Sequence, residues 1–160
     1  MSVRLTLLLL SITGYGFAQS KKEVKKYDIV SVTETITEVV DGKEITRNDS
    51  YKKFDKDGNV LEEIKYDKYG KAEERVVRIF DRFDNKTQEI TFDAANRQIK
   101  RETYKYDESG EKTEEVEYNA KNILVTRAVF VTDRRGLKSE KKVYDSKGKL
   151  IQTKKYRYDD

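Results

Sequence analysis

Short segments in which polar and apolar residues alternate recur along the chain from residue 54 onwards. Residues 60–66 read VLEEIKY and residues 99–106 read IKRETYKY. Alternation with a period of two, among β-branched and aromatic residues, is typical of a half-buried β-strand. A helical interpretation is excluded because breaks containing Asp and Gly recur before a helix could reach its usual length. The pattern therefore predicts short strands separated by turns.

The breaks share a five-residue pattern with an Asp or Asn at its second position and Gly, Asn or Asp at its fifth. A short carboxylate or amide side chain accepts hydrogen bonds from backbone amides two residues on and so starts a turn. The three residue types at the fifth position tolerate a positive φ. The pattern predicts hairpins built from a type I turn and a G1 bulge. Its eight copies begin at Phe54, Tyr66, Phe80, Phe92, Tyr106, Tyr118, Thr132 and Tyr144.

The starts of the eight copies are separated alternately by twelve and fourteen positions, so the pattern has a 26-residue period. Each period then contains two hairpins. Upstream, residues 27–40 and the residues after Asp41-Gly42 are interpreted as one further hairpin, because Asp-Gly is a strong two-residue turn signal. The sequence predicts an all-β fold, an antiparallel meander of about ten strands built from 26-residue double-hairpin repeats.

Most apolar and aromatic residues of these strands fall at even positions, and most Lys, Glu, Arg and Thr residues at odd positions. Adjacent residues of a strand point to opposite faces. We therefore expect one apolar, aromatic face and one charged face, in an open or rolled single sheet. A closed up-and-down barrel is the alternative, because open sheets with many strands tend to curl or close.

The segment YKYDESG at residues 104–110 resembles the YD repeat of the rearrangement-hotspot (RHS) family of bacterial surface and toxin-delivery proteins. Short YxNGK-type repeats of proteins described as antitoxins are similar as well. The resemblance implies strand–turn–strand units of a large spiralling sheet that is associated with carbohydrate or encloses a toxin. A chain of this length could not enclose a second domain, so the resemblance carries over the hairpin architecture.

Residues 1–18 have the features of a cleavable secretory signal peptide. Arg4 precedes an apolar run, and the small residues Gly16 and Ala18 stand where a signal peptidase cleaves. We expect residues 19–26 to be a flexible basic linker and residues 27–160 to form a single β-repeat domain. The protein would then be exported, either periplasmic or secreted, without a transmembrane segment after cleavage.

Composition excludes much enzyme chemistry. Charged residues make up 40% of the chain, and it contains no His, Cys, Pro or Trp. Histidine acid–base catalysis, cysteine nucleophiles and Cys/His zinc sites are therefore absent. The acidic residues near Gly58 lack the spacing of a calcium loop, since position 12 would be Tyr66. No catalytic residue, metal site or cofactor is expected, and the protein is expected not to be an enzyme.

The remaining candidates are binding surfaces. Tyrosine rings could stack on sugars, and a basic C-terminal region of ten Lys/Arg and three Asp/Glu between residues 133 and 157 could attract an acidic polymer. We expect a non-catalytic binding or structural module with a glycan or protein partner, or self-association, and no nucleic-acid ligand. The alternatives are a small barrel that carries an apolar ligand and an accessory of a toxin-delivery system. The expected aromatic ligand face comprises Tyr66, Phe92, Tyr104, Tyr106, Tyr118, Tyr144, Tyr156 and Tyr158. The expected basic patch comprises Arg134, Arg135, Lys138, Lys141, Lys142, Lys154, Lys155 and Arg157.

Overall fold

The computed structural model describes residues 20–159 as one ten-stranded antiparallel sheet with one short helix at its side. The strands follow one another across the sheet in chain order, so the predicted all-β meander is confirmed. The elements are α1 (Lys21–Lys26), β1 (Ser31–Val40), β2 (Lys43–Phe54), β3 (Val60–Tyr66), β4 (Ala72–Phe80), β5 (Lys86–Asp93), β6 (Gln98–Tyr106), β7 (Lys112–Asn119), β8 (Leu124–Thr132), β9 (Lys138–Asp145) and β10 (Leu150–Lys155).

All eight predicted turns are present and share one hydrogen-bond pattern. In the β6–β7 turn, Oδ1 of Asp107 accepts from the backbone N–H of Ser109 and of Glu111, each at 3.0 Å. Gly110 has a φ of +84° and donates its N–H to the Asp107 carbonyl. The predicted hairpin at Asp41-Gly42 forms as well. The side chains that accept both amides are those of Asp55, Asp67, Asp81, Asp93, Asp107, Asn119, Asp133 and Asp145.

The sheet is open. Strands β1 and β10 are its two edges, and they do not pair with each other. The alternative of a closed barrel is therefore wrong for the described residues, and with it the lumen in which an apolar ligand would be carried.

Each of the eight hairpins has, besides the positive-φ residue of its turn, a second irregularity that the turn pattern did not predict. Tyr66 lies opposite Ala72, but Lys65 lies opposite Glu74, so Glu73 is an extra residue in the returning strand. Such a bulge shifts the pairing by one residue. The extra residues recur with the repeat, at Leu61, Glu73, Thr87, Ile99, Thr113, Val125, Ser139 and Ile151.

These bulges make the expected division into one apolar and one charged face wrong. Paired residues share a face, and Ile64 lies opposite Arg75 whereas Glu63 lies opposite Val76. Beyond each bulge, even positions of one strand face odd positions of the next. We call the face with Ile64 and Arg75 face A, and the face with Glu63 and Val76 face B. Both faces carry apolar and charged residues in alternation.

The segment that we expected to be a flexible linker contains α1. Ser20 and Glu23 form a capping box at the start of this helix. Val24 is only 1% exposed. Lys21 Nζ donates to Asn59 Oδ1 at 2.8 Å and approaches Asp84 Oδ2 at 3.1 Å. The helix is thereby fixed against two neighbouring turns, since burial of one valine and contacts from one lysine anchor an otherwise polar segment.

Within residues 20–159 the sheet has no second layer, and its interior is correspondingly small. Among residues 20–159 the buried apolar side chains are those of Val24, Phe54, Val76, Val116 and Ala128. The expected signal peptide lies outside the described residues. No helix within the described part of the chain is long and apolar enough to cross a membrane.

Candidate functional site

The structure divides the eight aromatic candidates equally between the two faces. Tyr118 lies opposite Arg101 on face A, whereas Tyr104 lies opposite Glu115 on face B. A common face for all eight rings is therefore wrong. The four rings on face A recur once in each 26-residue period, at Tyr66, Phe92, Tyr118 and Tyr144. Those on face B are Tyr104, Tyr106, Tyr156 and Tyr158.

An arginine lies directly opposite each of the last three rings on face A. The guanidinium of Arg75 is 5.0 Å from the ring centroid of Phe92, and that of Arg101 is 4.0 Å from the centroid of Tyr118. Arg127 is paired with Tyr144 in the same register. We call Arg75, Arg101 and Arg127 the arginine row.

The arginine row lies on alternate strands, β4, β6 and β8. Neighbouring strands are about 4.8 Å apart, so successive members of the row are about 9.5 Å apart across the sheet. They are also offset along the strands, because Phe92, which pairs with Arg75, lies opposite Gln98, whereas Arg101 lies opposite Ile90. Asparagines at the αL position of neighbouring turns hold two of them. Arg75 Nη1 donates to Asn96 Oδ1 at 3.1 Å, and Arg101 Nε donates to Asn122 Oδ1 at 3.0 Å. The equivalent position beside Arg127 is Gly148, which has no side chain.

The members of the row differ in their acidic partners. Arg75 forms an ion pair with Glu62, and Arg127 forms one with Glu114. Each of these glutamates precedes its arginine by half a repeat along the chain, and the equivalent position before Arg101 is Gln88. Among the described residues Arg101 has no ion-pair partner. Its charge is therefore held against Tyr118 and Asn122 without neutralisation.

Where the glutamate is present, its pKa reflects the ion pair. The pKa of Glu114 is lowered by a hydrogen bond from Lys105 and, further, by Arg127, although partial burial opposes this shift. The carboxylate is thus held ionised between two cations. An external anion is therefore attracted only weakly to Arg127. It is attracted more strongly to Arg101, because the position equivalent to Glu114 is there the neutral amide of Gln88.

Face B presents lysines to its rings, but these lysines are paired with acids. Lys86 and Lys112 lie 4.7 Å and 5.0 Å from the ring centroid of Tyr104. Lys86 forms an ion pair with Glu89 and Lys112 one with Glu115. Burial has the largest single effect on the pKa of Glu115 and raises it, but the hydrogen bonds and charges of Lys112 and Lys141 together outweigh burial, and the pKa is lowered overall. These lysine–aromatic contacts stabilise the sheet.

The expected basic patch does not form one surface. Lys142 and Lys155 lie on face A and share Glu140, at 3.0 Å and 3.9 Å. Lys141 and Lys154 lie opposite each other on face B. Lys138 lies on face B as well, opposite Thr132. The division follows from strand alternation, because neighbouring lysines in the sequence point to opposite faces. Arg134 and Arg135 belong to the β8–β9 turn, and Arg157 follows β10.

The described residues contain no group of three or more acidic side chains that could hold a metal ion. Sequence reasoning missed the arginine row, although its 26-residue spacing is visible in the sequence. The signal was hidden because arginines at odd positions were assigned to the charged face, away from the rings.

No protein-family model matches the chain, and no curated protein matches its sequence. Among solved structures, it is similar to part of a crystal structure of TarM, and to part of a mutant of S. aureus TarM in complex with fondaparinux, alpha-GlcNAc-glycerol and UDP. The TM-scores are 0.32 and 0.33, at 17% and 16% identity, over 82% of this chain. The chain spans 22% and 23% of the TarM chains. A TM-score this low carries no argument about function.

Proposed function

We propose that this protein is an exported, non-catalytic binding module that recognises an acidic glycan at the bacterial cell surface or in the periplasm, through Arg101 of the arginine row on face A. The observation that carries the proposal is the environment of Arg101. This arginine is stacked on Tyr118, and Gln88 stands at the position where the neighbouring repeats have the glutamate that pairs with their arginine.

Carboxylates of a polyuronate fit this surface chemically. A guanidinium offers several donors in a planar fork that matches a carboxylate, and stacking on an aromatic ring fixes its plane in advance. The Nε of Arg101 already donates to Asn122, which leaves the terminal nitrogens for a ligand. Polyuronates are extended, so a chain with one carboxylate bound at Arg101 can lie along face A, while Arg75 and Arg127 keep their glutamate partners.

Export rests on the leader-like residues 1–18, and a non-catalytic role rests on the absence of His and Cys from the sequence. The uncovered sheet supports a binding role as well, because most rings of face A stay partly exposed in the described residues. These rings offer apolar surface to sugar rings beside the charged groups.

The test measures binding of alginate, a polyuronate, by titration calorimetry, with dextran as the neutral polymer. Arg101→Gln is compared with Lys100→Gln, which removes the same charge from the adjacent residue on face B. We expect Arg101→Gln to weaken alginate binding by about tenfold, the effect of one charged hydrogen-bonded contact, and Lys100→Gln to have little effect. Equal effects of the two variants would show binding by net charge alone, and equal affinity for dextran would exclude an acidic ligand.

A further inference from the structure

Each of the two edge strands has a strand neighbour on one side only, among the described residues. Strand β1 pairs only with β2, and β10 pairs only with β9, among the described residues. All six residues of β10 are exposed, including Ile151 at 54%. An edge strand presents a row of unpaired N–H and C=O groups and is a template for another strand.

The two edges carry opposite charge. β10 contains Lys154 and Lys155 and no acidic residue, whereas β1 contains Glu34 and Glu38 and no basic residue. Complementary charge across an interface favours one pairing over its rivals, since like charges directly opposite one another repel.

One charge on each edge has no ionic partner among residues 20–159. Lys154 lies opposite Lys141, a like-charged neighbour, and its Nζ is 5.2 Å from the ring centroid of Tyr156. Glu34 accepts a hydrogen bond from the hydroxyl of Ser50 and forms no ion pair. Lys141 is paired with Glu115, so Lys154 is the member of this lysine pair that lacks an ionic partner.

The topology places these two unpaired charges on one face. Because the meander has ten strands, β1 and β10 run in opposite directions. If a second copy is translated across the sheet, past β10, its β1 therefore lies antiparallel to β10 as an eleventh strand. Face A and face B of the first copy then continue as face A and face B of the second. Glu34 shares a face with Ser50 and Lys65, and hence belongs to face B, as does Lys154.

We propose that β10 of one copy pairs with β1 of a second copy, head to tail, with Lys154 opposite the second copy's Glu34. In this register Thr153 lies opposite Thr35 and Gln152 lies opposite Ile36, so threonines pair on face A. The contact is heterologous and does not close on itself, so it generates chains of molecules that grow with concentration.

The lysines of β10 have a simpler explanation, which is that they protect the edge from association. The two explanations differ in what reversing the charge of Lys154 does. A protective lysine can be replaced by glutamate without consequence, or with increased association, whereas a lysine that pairs with Glu34 cannot.

The backbone offers an independent test. The N–H of Tyr156 donates to the Ser139 carbonyl, so by antiparallel alternation the N–H of Thr153 points away from β9. Thr153→Pro therefore removes a donor from the free edge and leaves the pairing with β9, a position where proline is tolerated. Thr153→Ala keeps the N–H and is the matched control.

Association is measured by analytical ultracentrifugation of the chain at low salt, over about a hundredfold range of concentration. We expect the average mass to rise without a plateau. Thr153→Pro and Lys154→Glu should each weaken association by about tenfold or more, as for a broken strand contact or a like-charge pair. The double variant Lys154→Glu/Glu34→Lys should restore it, and Lys155→Glu should change it little, since Lys155 lies on face A. Circular dichroism checks that each variant keeps its strands.

A protein that stays monomeric over the whole range overturns the proposal. A plateau at the dimer also overturns it, because that result indicates a closed contact between two identical edges. If the double variant fails to restore association that Lys154→Glu abolished, the register is wrong. If Thr153→Pro loses its strand content, the charge-reversal series decides the outcome by itself.

Discussion

The guanidinium of Arg101 lies 4.0 Å from the ring centroid of Tyr118, while the equivalent Arg127 is bound by Glu114. Two repeats of the same sheet therefore use one side-chain position differently. At Arg127 the cation completes an internal ion pair. At Arg101 it is stacked and held in place but not neutralised, because Gln88 stands where the other repeats have glutamate.

Tyr118→Leu should weaken alginate binding and lower stability by about 1 kcal/mol, because it removes the ring on which Arg101 stacks. Tyr104→Leu is the control, since that ring lies on face B among paired lysines. Calorimetric titration and urea unfolding measure the two effects. If Tyr104→Leu reduces binding as much as Tyr118→Leu, face A is not the ligand surface.

Gln88→Glu should give Arg101 the acidic partner that its neighbours have. We expect stability to rise by a few tenths of a kcal/mol, as for a partly exposed ion pair, and alginate affinity to fall because the guanidinium is neutralised. Lys56→Gln lowers the net charge equally, in the β2–β3 turn away from β5 and β6, and should leave affinity unchanged. An unchanged affinity in Gln88→Glu would contradict the role given to Arg101.

Gly58→Ala should destabilise the protein more than Gly136→Ala does. The two glycines have nearly the same φ, +79° and +81°, so both substitutions carry the strain of the left-handed region, about 1–2 kcal/mol. Only at Gly58 would the added Cβ lie 2.8 Å from the carbonyl oxygen of Lys21. The difference between the two variants in urea unfolding therefore reports the docking of α1. Equal losses of stability would indicate that α1 is not held against this turn in solution.

Acid should destabilise the turns. Hydrogen bonds from the Ser109 side chain and the Glu111 backbone lower the pKa of Asp107 below its ordinary value. A carboxyl with a lower pKa in the folded state stabilises the fold above the unfolded pKa, about 3.9, and this contribution is lost as the pH falls through the folded pKa. The pKa values of Asp67, Asp81, Asp93 and Asp133 are lowered as well.

The urea concentration at the midpoint of unfolding should therefore decrease as the pH is lowered from neutral to values below the folded pKa. Asp107→Asn keeps the two accepted hydrogen bonds, as Asn119 does in its own turn, but cannot titrate. This variant should lose less stability on acidification than the parent protein. A variant with the same dependence on pH as the parent would show that Asp107 does not contribute to the acid response.

The sequence by itself determined the turns. An acceptor such as Asp107 and a residue that tolerates positive φ such as Gly110 act within one five-residue pattern, so their effect needs no distant partner. Their regular spacing then set the number of strands and the meander. The aromatic residues were correctly placed next to the turns.

The tertiary structure decided the faces. An extra residue such as Glu73 changes which residues lie opposite each other, and nothing in the local pattern shows that it is skipped in the pairing. The extra residue in β7, Thr113, places Arg101 beside Tyr118 and puts Tyr104 and Tyr118 on opposite faces. Side-chain direction in a sheet depends on the register between strands, which is a contact between distant residues, and so the composition of the candidate site became visible only once the strands were paired.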